Sequence, residues 1–256
     1  MACLLRDLLG HPEGNAMIDA YTHLDLTCAD PIADMKARMA HAGINSALAV
    51  ETWKGDNLPW LQNMVAEPSP QFRVVPCFRP DRQQPAADFL QNGVLMGLRV
   101  RTVDLRQLQG METLLTASGK WLVPHVENGI GPLKKELLAL AQRTPGLQIY
   151  LPHLGWPRQN KIDDPEWGAA VSELHEIPGM VVGISAIAEF SREPFPHPDV
   201  EAFTARLMEI FGPASIVVAS DYPLGEKDRY TEYMQLAQAW LRRADARWSP
   251  LPCFSS

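Results

Sequence analysis

The sequence predicts a single (β/α)8 (TIM) barrel, an α/β fold that takes residues 1–256 as one domain. Three observations predict it. The chain has 256 residues, 46% of them hydrophobic, which is the usual size of one β/α barrel. Short β-branched runs alternate about eight times with longer segments of helical period, which argues a parallel sheet with crossover helices. Polar, chemistry-bearing residues stand at the ends of the strand runs, where barrel enzymes carry their sites. An open doubly wound sheet is the competing architecture; eight units in register favour closure.

The units follow in order. A strand over Ala16–Leu24 leads to a helix over Pro31–His41, with Pro31 in the first turn, where proline is favoured. A strand over Ser46–Val50 precedes a helix over Leu58–Ala66. A strand over Arg73–Phe78 precedes a helix over Pro85–Gln91, and a strand over Val94–Val100 precedes a helix over Asp104–Ala117. The second half repeats the rhythm. Strands over Lys120–Val126, Leu147–Leu151, Met180–Ile184 and Ser215–Ala219 alternate with helices over Pro132–Arg143, Pro165–His175, Pro198–Phe211 and Asp228–Arg243. No linker or low-complexity segment interrupts the series. After Ala244 the sequence DARWSPLPCFSS has two prolines and no helical period, so an irregular tail is expected.

Composition narrows the function. The net charge of -7 and pI near 5.5, with no basic run, disfavour nucleic acid as a partner, because an acidic field repels phosphate. No apolar stretch approaches the roughly 18 residues of a membrane span. Arg6 and Asp7 interrupt the apolar start, which makes it a poor signal peptide, so a cytoplasmic protein is expected. Cys3, Cys28, Cys77 and Cys253 form no CxxC pair and read as reduced thiols. A homo-oligomer is compatible with the sequence. A phosphate-binding barrel is disfavoured, since no Gly-rich loop follows the seventh or eighth strand.

The strand ends hold the chemistry. Side chains alternate along a strand, so Asp19, Tyr21 and His23 are expected on one face. Glu51, Arg79, Arg99 with Arg101, His125 with Glu127, His153, Ser185 and Asp221 end the strands that follow. Three histidines and one aspartate would then converge on one mouth. Imidazole and carboxylate suit a zinc-like ion, which lowers the pKa of bound water toward about 7. Arg79 and Arg101 are candidates for gripping a substrate carboxylate in a bidentate way. Strand-end arginines also pair simply with Glu or Asp, and Glu51 and Glu127 could balance them. Among Trp53, Trp60 and Trp156, the last is the best candidate for a pocket wall. His11, His41, His175 and His197 read as surface residues.

These segments carry a resemblance. IDAYTHL resembles the Asp-x-His-x-His strand that opens the amidohydrolase superfamily. VPHVEN, HLGWP, GISAIAEFS and ASDYP resemble the later strand motifs of its second large branch. The resemblance runs from about Ile18 to Pro223. That branch contains decarboxylases, pyrone dicarboxylate lactonases and sugar lactonases. The resemblance implies His23, His125 and Asp221 as ligands of a divalent metal, zinc or manganese. It implies His153 as an acid or base beside the metal, with Asp221 doubling as a base. Tyr21 stands where the family has its first histidine, and a neutral phenol is a poorer ligand than imidazole. A metal-free site is therefore the alternative, as the resemblance to pyrone dicarboxylate lactonases allows. The usual C-terminal Asn-Ala-x-Arg-Leu ending is missing, and ADARWSPLP stands near its place. The expected function is a hydrolase of a small anionic substrate, with lactone opening favoured. His153 and Asp221 would be catalytic, and Tyr21, Arg79, Arg101 and Trp156 would bind substrate. Metal-assisted non-oxidative decarboxylation is the alternative at the same site. A barrel that has lost catalysis and serves in binding is the alternative of a different class.

Overall fold

The computed structural model describes residues 17–69, 71–80, 93–108, 110–158, 164–224 and 226–247, with the backbone alone for 245–247. The expected helix over Pro85–Gln91 and the residues after Arg247 lie outside these. The first half runs β1 (Met17–Thr22), α1 (Pro31–Ala42), β2 (Ile44–Val50), α2 (Leu58–Ala66), β3 (Phe72–Val75) and β4 (Gly97–Arg101). The second half runs α3 (Met111–Ala117), β5 (Trp121–His125), α4 (Lys134–Arg143), β6 (Gln148–Leu151), α5 (Pro165–Leu174), β7 (Val181–Ile184), the short α6 (Ile187–Phe190), α7 (Pro198–Phe211), β8 (Ile216–Val218) and α8 (Tyr230–Arg247).

Local chemistry sets many of these boundaries. Asp30 caps α1, its Oδ1 accepting from the N–H groups of Ile32 (3.1 Å) and Ala33 (3.0 Å), with Pro31 at the first turn. Gly43 ends the helix at φ 70°, the left-handed conformation that glycine adopts at least cost. Asp164 caps α5 in the same way through Glu166 N–H at 3.0 Å.

Four local expectations are corrected. The helix expected over Asp104–Ala117 is split into a 3-10 turn over Thr102–Gln107 and α3, because Gly110 at φ 85° breaks the run. The tail was expected to be irregular from Asp245, but α8 continues through Arg247; Ala and Arg are strong helix formers and the prolines come only later. Strict alternation along β1 fails, since Asp19 pairs with Ala47 and Thr22 with Ala49, a shift of one residue. His197, expected at the surface, is buried, stacked on Tyr233, with Nε2 2.8 Å from the tyrosine hydroxyl. His41 and His175 are exposed as expected.

All strand pairs are parallel, in one sheet of order β1-β2-β3 and one of order β4-β5-β6-β7-β8. Isolated parallel bridges, Val74 with Leu95 and Cys77 with Arg99, link the flanks of β3 and β4. At the other side, Asp221 N–H donates to Tyr21 O (2.9 Å) and His23 N–H to Tyr222 O (2.6 Å). Two apolar cores result. The larger fills the space between strands and helices. The smaller collects Tyr21, Val50, Val75, Val123, Tyr150, Val181 and Ala219 on the opposite faces of the strands. Gly183 makes room there: a Cβ on it would come within 2.5 Å of the Tyr150 hydroxyl. Among the described residues no helix is long and apolar enough to cross a membrane.

Asp19 clasps the seam between β1 and β8. It is fully buried and accepts from Ser220 N–H (2.8 Å), Ser220 Oγ–H (2.6 Å), Tyr230 O–H (3.1 Å) and Tyr21 N–H (3.3 Å). Burial raises its pKa from 3.8 to about 6 against the pull of these donors. The folded carboxyl thus holds a proton that the unfolded chain releases, so stability falls as pH rises through this window, by about 3 kcal/mol in all. The stability difference between Asp19→Asn and the native chain, measured by urea unfolding, should move toward the variant by that amount between about pH 4 and about pH 7. A difference that stays flat would sink this account.

Candidate functional site

The ends of β1, β4, β5, β6, β7 and β8 meet at one mouth. His23 follows β1 and its Nδ1 lies 2.7 Å from Val50 O, so Nδ1 carries the proton and donates. Nε2 is bare and stands 3.7 Å from Asp221 Oδ1. On the other side of that oxygen, His153 Nε2 stands at 3.9 Å. Ser185 steadies His153, with Oγ 3.0 Å from its backbone nitrogen, from which it accepts, and 2.9 Å from Nδ1. Asp221 Oδ1 is buried and has no hydrogen-bond partner.

The electrostatics keep this group neutral. Burial lowers the His23 pKa to about 3, with the Arg99 charge adding to the effect. Burial, then Arg99 and the other two histidines, hold His153 well below 6.5. Burial pushes Asp221 well above the usual carboxylate range; Arg99 opposes this, and Glu189 and Asp19 reinforce it. Burial thus disfavours the charged form of all three groups.

Backbone strain concentrates at the same place. His153 (φ 55°), Leu154 (φ 56°), Trp156 (φ 54°), Ala186 (φ 54°) and Asp221 (φ 59°) are all left-handed without being glycine, a conformation that costs a side-chain-bearing residue roughly 1–2 kcal/mol. Hydrogen bonds hold the turn: Trp167 Nε1–H donates to Leu154 O at 2.9 Å and Ile130 N–H to Trp156 O at 3.0 Å.

Arg99, at the mouth end of β4, is 5% exposed. Its Nη1 donates to Glu51 O (2.8 Å) and its Nη2 to His125 Nδ1 (3.0 Å), and its plane lies over the rings of Trp53 (4.9 Å) and Tyr21 (5.6 Å). Its Nε has no partner. An arginine only donates, so His125 Nδ1 is the acceptor and the His125 proton sits on Nε2. Burial and then Arg99 lower the His125 pKa to about 3.

The structure thus brings His23, His153 and Asp221 together and sets His125 beside Arg99. Tyr21 is fully buried beneath them, its ring edge-on to His23 (5.3 Å) and His153 (4.7 Å), its hydroxyl unpartnered. Arg79 Nη2 pairs with Glu51 at 2.7 Å and Arg101 Nε with Asp104 at 2.9 Å, and the Arg101 head remains half exposed at the lip. Trp156 packs edge-on against His125 (5.1 Å) and His153 (4.5 Å) and walls a cleft of about 580 Å³, a volume that suits a small molecule. Glu127, Glu189 and Arg158 also line it, whereas His23, His153, Asp221 and the arginines of the mouth do not, so the cleft adjoins the mouth at Trp156 rather than enclosing it. Sequence reasoning placed Arg99 on the inward face but gave it no role; the signal was its two-residue spacing from Arg101.

The expected metal set was tested against this geometry. Among the described residues, no three His, Cys, Asp or Glu side chains stand where they could hold one ion. His125 gives its Nδ1 to a guanidinium, its Nε2 carries a proton, and Tyr21 supplies a buried phenol in place of an imidazole. This arrangement does not fit a divalent cation.

The amidohydrolase family model matches residues 133–246, as the motif resemblance implied. No curated protein matches the sequence. Several solved structures share the fold. A zinc-bound amidohydrolase from Burkholderia multivorans is 17% identical, with 90% of this chain and 92% of that chain covered at a TM-score of 0.71. A protein from Pseudomonas putida, named for 2-pyrone-4,6-dicarboxylic acid hydrolysis, is 18% identical, with 91% and 94% covered at 0.70. A manganese-bound dihydroxybenzoic acid decarboxylase from Polaromonas is 12% identical, with 90% and 94% covered at 0.57.

The Glu51 carboxylate is buried and joins Arg79 to Cys77 N–H, the latter at 2.7 Å. Glu51→Gln should lower unfolding stability by about 2 kcal/mol, since it weakens the pair and offers an amide N–H to a donor. Denaturant midpoints check this, and an unchanged midpoint would show that the pair is idle.

Proposed function

We propose that this chain, whose residues 133–246 match the amidohydrolase family, is a hydrolase that opens a small carboxylated lactone or ester by attack of water. The observation that carries this reading is the buried, unpartnered Asp221 Oδ1 between the Nε2 atoms of His23 and His153. The reading includes closure of the two sheets into one barrel, supported by the seam at Asp19 and by an interior core fed from both sheets. It also includes a cytoplasmic setting, supported by the free thiols of Cys28 and Cys77.

The steps follow from the protonation states. With the His153 proton on Nδ1, donated to Ser185 Oγ, neutral His153 Nε2 accepts a proton as water attacks the carbonyl. Protonated Asp221 gives its proton to the leaving ring oxygen, and His153 then returns a proton to Asp221, which closes the cycle. His23, fixed by Val50 O, holds Asp221 from the other side. Arg101, half exposed at the lip, meets a substrate carboxylate, and Trp156, packed on His125 and His153, joins these imidazoles to the neighbouring cleft. Tyr21 supports the histidines from below.

A panel of carboxylated lactones, assayed for ring opening and for CO2 release, tests the assignment. Ring opening supports it. CO2 release alone would move the chain to the decarboxylases, and no turnover would make it a binding barrel. His153→Ala and Asp221→Asn should each lower kcat by about 10²–10⁴-fold. His153 is held below 6.5 and Asp221 above 3.8. The acid limb of the kcat profile should therefore fall below pH 6.5, and an acid limb above that value contradicts His153 as the base.

A further inference from the structure

We infer that Arg99 is the resident cation of this site: a fixed guanidinium that excludes a divalent ion and receives the anionic oxygen that forms on the substrate. The inference deepens the proposed function and rests on its reading of the mouth as the place of reaction.

Arg99 is nearly fully buried, and among the described residues no carboxylate pairs with it. The nearest candidate, Glu51, offers Arg99 only its backbone oxygen and commits its carboxylate to Arg79 and to Cys77 N–H. Arg79 and Arg101 have carboxylate partners, and Arg99 does not. An arginine keeps its charge under ordinary conditions and buried charges are normally paired, so an unpaired buried guanidinium is a site prepared for an anion.

Hydrogen bonding gives the same answer. Arg99 Nε, the Tyr21 hydroxyl, Trp53 Nε1 and Trp156 Nε1 are all buried donors without acceptors. They belong to one contiguous group: Arg99 lies over Trp53 and Tyr21, and Trp53 and Trp156 flank His125. A surplus of buried donors is satisfied by an oxyanion or a carboxylate, whereas a metal ion would need lone pairs. The hydrogen bond from Nη2 to His125 Nδ1 completes the exclusion, because it leaves a proton on the Nε2 of that ring.

Chelator-stripped native chain, Arg99→Lys and Arg99→Gln would be incubated with zinc, desalted, and their metal content measured. In parallel, the melting temperature would be read with and without malonate. The native chain and Arg99→Lys should retain only substoichiometric zinc, and folded Arg99→Gln should retain about tenfold more. Malonate should raise the melting temperature of the native chain and lose that effect in Arg99→Gln. Near-stoichiometric zinc in the native chain overturns the inference, and so does a folded Arg99→Gln that gains none. A native chain that malonate fails to stabilise removes the anion role without recourse to any variant. Neither readout requires turnover, so failure here is distinct from failure of the hydrolase assignment.

Discussion

The hydrogen-bonded clasp of Asp19 fixes where everything else at the mouth can stand. Its two oxygens take donors from β1, from Ser220 two residues past β8 and from α8, elements separated by some two hundred positions in the chain. Ser220 is held by both its backbone and its hydroxyl, so the next residue, Asp221, must leave the strand in a set direction. Its N–H then donates to Tyr21 O, and the following turn accepts from His23 N–H. The 3.7 Å approach of His23 to Asp221 is a consequence of this seam. A buried carboxyl costs desolvation, and the four donors offset much of that cost. The clasp therefore serves position as much as stability.

A second constraint acts through space. Arg99 is near enough to bear on His23, His125, His153 and Asp221 together. For the histidines it works with burial, and both favour the neutral ring. For Asp221 it works against burial, and burial outweighs it, so the carboxyl titrates above the usual carboxylate range. Burial and this one charge thus act together on the imidazoles and against each other on the carboxyl. The proposed acid–base hydrolysis draws on that difference.

Much of this was legible in the sequence, for reasons that differ between elements. The boundaries of α1 and α7 could be read because caps and prolines act within one turn. His23, His153 and Asp221 could be placed at one mouth because strand ends in this fold converge, and because HLGWP and ASDYP carry a family pattern. The allocation of charges could not be read. Glu51 could have paired with any of three arginines, and its choice of Arg79, 28 positions away, is what leaves Arg99 alone. The burial of His197 depends in the same way on Tyr233, 36 positions on. The bulge in β1 was hidden too, since alternation in sequence carries no mark of a register shift.

The strained backbone belongs to the same logic. His153 and Asp221 both sit at positive φ, where glycine would be easier, and both are the residues to which the proposed hydrolysis assigns proton transfer. The left-handed turn swings His153 Nε2 toward Asp221 Oδ1 and presents the His153 N–H to Ser185. Such turns persist only where the surroundings over-determine them. Trp167 bonded to Leu154 O, Ile130 bonded to Trp156 O, and the Asp19 seam supply that here. The unpartnered polar atoms and the strained torsions therefore occur together. Both are local departures from the lowest-energy fold, and both are tolerated because two apolar cores on either side of the strands hold the frame fixed while the mouth stays unsatisfied.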